Sequence, residues 1–173
     1  MIFSLPTFTV IHVVLSLVAI FAGLVVAGGL VAGKSLRRGT AVFLATTVLT
    51  NVTGFGFPFV TLLPSHIIAI VSLIALPFVI AARYWKHLAG PWRRVYVVGS
   101  VATLYLNVFV LVVQLFQRIP GLIVAAPTQK EPPFVLTQLI VLALFVWLGR
   151  AALKGFSAQS AAMAEADRVV MAR

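Results

Sequence analysis

Long apolar runs with no acidic residue inside them most limit what this chain can become. Five stretches qualify, at about residues 7–32, 41–63, 66–85, 95–117 and 134–153. A helix needs about 20 apolar residues to cross the hydrocarbon of a bilayer. Hydrophobic residues make up 62% of the chain and charged residues 9%. Soluble domains carry about 25% charged residues, and no water-soluble fold of this size hides so much apolar surface. The expected fold is therefore an all-α integral membrane protein, a bundle of five transmembrane helices.

Helix punctuation supports the division. "GKSLRRG" ends the first run, "PS" opens the third, "RIPG" closes the fourth, and "PP" and "KGF" bracket the fifth. Only "LLPS" separates the second and third runs, so they form a tight hairpin; a four-span chain with one re-entrant segment is the alternative. The first run follows no Lys or Arg and is too long for a cleaved signal, so it reads as a retained helix. Residues 157–173 read as a cytoplasmic C-terminal tail.

The net charge of +10 invites a nucleic-acid reading, but the basic residues cluster at the ends of apolar runs. That is where positive-inside topology places them, so nucleic acid is not an expected partner. Lys34, Arg37 and Arg38 fill the first connection, Arg83, Lys86, Arg93 and Arg94 the third, and Arg150, Lys154, Arg168 and Arg173 the C-terminal side. The N-terminal stretch and the second connection hold none. The alternation puts the N-terminus outside and the C-terminus in the cytoplasm of a bacterial inner membrane.

Depth then follows at about 1.5 Å per residue. His12, Asn51, His66, Asn107, Gln114 and Gln138 all fall in the outer half, and the inner half is aliphatic and aromatic. His12, Ser16, Ala19 and Gly23 share one helical face, as do Thr46, Thr50 and Thr53, with Thr47, Asn51 and Gly54 beside them. Thr103, Asn107 and Gln114 align in the fourth run. Such stripes of small and hydrogen-bonding residues mark helix contacts in membranes. "TNVTGFGFPF", residues 50–59, places two glycines and Pro58 in the second run, and Pro58 is expected to kink that helix near Gly54.

Several chemistries are excluded. There are no cysteines, which removes disulfides, thiolate metal sites and iron–sulfur clusters. No carboxylate lies within a run, so intramembrane carboxylate relays and paired-carboxylate catalysis are absent. No Ser has an adjacent base and acid to form a triad, and Ser65 is expected to cap the third helix. Glu131, in "PTQKEPPF", reads as part of a structured connection.

What remains is binding chemistry. His12 and His66 are candidate axial ligands for the iron of one b-type haem, with Arg118 and Lys130 able to pair with its propionates. A quinone is the related option, with Tyr105, Asn107 and His12 as hydrogen-bonding groups and Asn51, Gln114 and Gln138 in the same polar region. The expected function is thus a redox-associated subunit or carrier with a polar pocket, not an enzyme on its own. Two other readings stay open: an accessory subunit of a larger membrane complex, and a small-molecule or ion permease that works as a homo-oligomer.

Overall fold

A computed structural model describes residues 5–57 and 64–171, with side chains for 5–57 and 65–158. Every regular element among them is helical: α1 (Leu5–Val31), α2 (Arg37–Gly54), α3 (Pro64–Ile80) running into a π-helical turn (Ala81–Trp85), α4 (Trp92–Arg118), the short α5 (Pro120–Ala125) and α6 (Pro132–Met171). Four helical stretches among the described residues are long and apolar enough to cross a membrane: Leu5–Val31, Ser65–Trp85, Trp92–Arg118 and Pro132–Ala158. The second expected span, α2, is not one of them. Its 18 residues rise about 27 Å, near the hydrocarbon thickness of about 30 Å, but Arg37, Arg38, five threonines and Asn51 dilute its apolar content.

The exterior and interior are inverted relative to a soluble protein. Val42, Leu49 and Val52 of α2 are exposed, whereas Thr40, Thr47 and Asn51 of the same helix are buried. Phe21, Ile74 and Trp147 likewise stand outside, while Ser72, Ser100, Thr103 and Asn107 lie inside. A molecule with apolar atoms outside and hydroxyls and amides inside is built for lipid.

Cross-helix contacts define the register. His12 meets Thr53 and Gly23 faces Phe43, so α1 and α2 are antiparallel. Asn51 meets Ser72 across α2 and α3, and Gly99 sits against Val79 across α3 and α4. Gln138 reaches Phe109 and Phe134 packs on Phe116, so α6 returns antiparallel to α4. The first four long helices close a ring in the order α1, α2, α3, α4, and α6 lies in the groove between α1 and α4. Successive long helices alternate in direction. One end of the bundle therefore collects the starts of α1, α3 and α6 with the ends of α2 and α4; the other collects most of the basic residues.

The basic end is tightly packed. Leu30, Phe43, Leu76, Val79, Tyr96 and Val97 are almost fully buried there. Glycines permit the approach: a Cβ on Gly155 would run into the Val31 carbonyl, and one on Gly23 would meet Leu104 Cδ1 at 2.5 Å and Phe43 at 2.9 Å.

Several boundaries differ from the sequence expectations. α2 begins at Arg37, before residue 41, and ends at Gly54, where Phe55 N–H and Gly56 N–H turn back to Val52 and Thr53 carbonyls. Pro58 itself, and with it the expected kink, lies outside the described residues. α3 begins at Pro64, which puts Ser65 inside its first turn and not at the cap position. Pro77 lies within α3 and cannot donate to the Leu73 carbonyl; the π-helical turn begins four residues later, at Ala81. Backbone helix continues from Pro132 to Met171, with no break where the tail was expected to begin. Glu131 accepts hydrogen bonds from Thr128 N–H and Oγ1–H and from Lys130 N–H, so it organises the connection before α6. What desolvation it feels would raise its pKa, but these bonds together hold the carboxyl below its ordinary value.

The glycine contacts yield a paired prediction. Gly23→Val should destabilise the bundle by about 1–3 kcal/mol through overpacking against Leu104 and Phe43. Gly28→Ala, on the same helix with open space around it, should leave stability unchanged or slightly raised. Unfolding titrations in mixed micelles measure both, and equal losses would contradict the packing described.

Candidate functional site

A cavity of about 370 Å³ lies inside the four-helix ring, at the end opposite the basic residues. All four ring helices line it. α1 supplies Thr9, His12, Val13, Ser16, Leu17 and Ile20, a face built by i, i+4 spacing. α2 and its following turn supply Thr50, Asn51, Gly54 and Phe57; α3 supplies Ser65, His66, Ile68 and Ala69. α4 supplies Leu106, Asn107, Val110, Leu111, Gln114, Leu115 and Arg118. Apolar walls thus surround a few convergent polar groups, the usual character of a small-molecule site.

The stretch after Thr50 shapes one wall. Gly54 leaves room for the His12 ring, whose Cε1 lies 3.7 Å from where a Cβ would stand. Gly56 admits Phe8, which a Cβ would meet at 2.6 Å. Phe57 packs edge-on against both Phe8 and His12, at 5.0 and 5.1 Å between ring centroids. Gly54, Gly56 and Phe57 therefore form the surface that receives the start of α1.

Hydrogen bonds determine what each polar group can still offer. Thr53 Oγ1 has one proton and donates it to the Leu49 carbonyl at 2.7 Å. Toward His12 Nδ1, 2.8 Å away, it must accept. His12 therefore carries its proton on Nδ1 and keeps a lone pair on Nε2. Asn51 spends both amide protons, on the Thr47 carbonyl at 2.8 Å and Ser72 Oγ at 3.0 Å, which leaves Oδ1 as its free acceptor. Asn107 donates one proton to Thr47 Oγ1 at 3.2 Å and retains another. Gln114 Oε1 accepts from Arg118 Nε at 3.3 Å, so the Gln114 amide nitrogen and the outer Arg118 nitrogens remain donors at the rim. The Thr50 hydroxyl is buried and has no hydrogen-bond partner. His66 is buried and stacks on Phe55 at 5.4 Å between centroids.

The eight residues singled out from the sequence divide accordingly. His12, Asn51, His66, Asn107, Gln114 and Arg118 all line this cavity. Tyr105 does not: it packs between Phe109 and Phe145, at 6.1 and 5.7 Å, on the side of α4 facing α6. Gln138 also lies away from it, donating to the Phe109 carbonyl at 3.3 Å. Thr50 was visible only as part of a threonine stripe, and its orphaned hydroxyl emerges from the fold. Among the described residues no three His, Cys, Asp or Glu side chains gather to hold a metal ion. No family model, no curated protein and no solved structure matches the chain.

The His12 assignment is directly measurable. ¹⁵N NMR of labelled protein should show His12 in the Nδ1–H form, and Thr53→Val should shift the ring toward a mixture of tautomers. A wild-type ring protonated only on Nε2 contradicts the bond to Thr53.

Proposed function

We propose that this is a quinone- or quinol-binding membrane protein, a redox-associated subunit or carrier without catalytic activity of its own. It crosses a bacterial cytoplasmic membrane five times, N-terminus outside and C-terminus inside. The fifth crossing is α2, which buries Thr40, Thr47 and Asn51 and exposes Val42, Leu49 and Val52. The basic residues at one end of the bundle support the orientation, which puts the cavity in the outer half of the bilayer.

The observation that carries the binding reading is the convergence of donors and acceptors from four helices between apolar walls. A quinone carbonyl accepts hydrogen bonds, and Asn107 and Gln114 offer donors. A quinol hydroxyl donates, and His12 Nε2 and Asn51 Oδ1 offer acceptors. Leu106, Val110 and Leu111 supply the greasy surface that a ring and its alkyl tail need.

A second reading, one b-type haem between His12 and His66, is favoured by the Thr53 bond. Metal-ligating histidines typically donate their second ring N–H in this way. The cavity, near the lower end of the usual range for ligand sites of about 300–1,000 Å³, suits a single quinone ring better than a macrocycle.

Titration calorimetry of the protein in nanodiscs with a short-chain ubiquinone tests the first reading. Saturable binding is expected, weakened about 3- to 10-fold by Gln114→Leu or His12→Phe, the loss of one hydrogen bond. Tyr105→Phe, off the cavity, should bind as wild type. Absence of saturable binding, or equal affinity in all variants, would overturn it. A Soret band in protein from haem-supplied cells, lost in His12→Ala, would establish the second reading in its place.

A further inference from the structure

Among the described side chains, the basic end of the bundle holds cations with no carboxylate to neutralise them. Arg83 lies over the Tyr96 ring, 5.9 Å from its centroid, and Arg93 over the Phe156 ring at 5.5 Å. The two rings adjoin, 6.4 Å apart. Each guanidinium therefore rests on an aromatic face, and the Nε of each is buried without a hydrogen-bond partner. Ser35, which interacts with the Tyr96 phenol, also has a buried hydroxyl with no partner at bonding distance. It lies one residue before Leu36, the N-cap of α2, a helix start with no side-chain cap and no acid in its first turn. Of the chain's three acidic residues, Glu131 lies at the opposite end. α6 carries Glu165 and Asp167 about 15 Å or more beyond Gly155.

Buried guanidinium N–H groups without acceptors are costly, and arginine's planar fork matches phosphate oxygens. An uncapped helix start adds further donors and a favourable dipole. We infer that Arg83, Arg93, Ser35 and the start of α2 form a phosphate-binding site, for an anionic lipid headgroup or a soluble phosphate. It is separate from the cavity, and neither reading depends on the other.

The test uses the full chain in phosphatidylcholine nanodiscs, with phosphatidylglycerol or inorganic phosphate as the added probe. Native mass spectrometry reads retained lipid, and thermal unfolding reads stabilisation. Arg83→Lys combined with Arg93→Lys preserves charge but removes the fork, and should lower phosphate-dependent retention or stabilisation about tenfold in probe concentration. Arg150→Lys, an exposed cation at the same end, should behave as wild type. Retention of phosphatidylglycerol with no effect of inorganic phosphate assigns the site to a lipid headgroup. Stabilisation by inorganic phosphate in phosphatidylcholine assigns it to a soluble ligand. Equal behaviour of the double-lysine variant and wild type, with helical content unchanged, reduces the effect to diffuse surface charge and overturns the proposal, as does a lack of response to either probe.

Discussion

The hydrogen bonds that α2 makes to its neighbours are the constraint on which the rest depends. It is the most polar of the long helices, yet it sits between α1 and α3 in the ring. Thr53 takes the His12 N–H from α1, Asn51 donates to Ser72 of α3, and Thr47 and Thr40 meet Asn107 and Tyr96 of α4. Bonds of this kind average about 0.6 kcal/mol each within membranes. Their larger effect is on the alternatives, because an amide or hydroxyl turned toward hydrocarbon costs several kcal/mol. The bonded faces of α2 are thereby held inward, and Val42, Leu49 and Val52 outward.

That arrangement makes the two ends of the bundle different. At the basic end, glycines and apolar side chains close the interior, with the Thr40–Tyr96 hydrogen bond, at 2.7 Å, set into it. At the other end α2 and α4 hold α1 and α3 apart, and amides and hydroxyls tied to one another do not fill the space between. The cavity is what remains when polar residues are spent on fixing the helices. Its groups are already oriented, so a ligand meets them without reorganising the ring.

Much of this was legible in the residues, because depth in a membrane helix can be read by counting from its ends. His12, Asn51, Asn107 and Gln114 fall at one end for that reason alone. Facing is harder. Tyr105 and Asn107 are two residues apart, hence about 200° around the helix, and cannot both point into one cavity. That exclusion was available from spacing. Gln138 is at a suitable depth, but α6 lies outside the ring, and helix order around a bundle is not encoded in the spans. Pro77 was a visible signal for the irregular end of α3. The end of α2 at Gly54 followed less directly, since the apolar run of the sequence continues to Leu63.

The central claim is that α2 passes through the bilayer with its polar side turned inward. The chain lacks cysteine, so single-cysteine variants in intact cells test this without a background. A membrane-impermeant thiol reagent should label Phe57→Cys and Thr128→Cys directly, and Lys34→Cys only after the membrane is opened. Labelling of Lys34→Cys and Phe57→Cys from the same side would contradict the account.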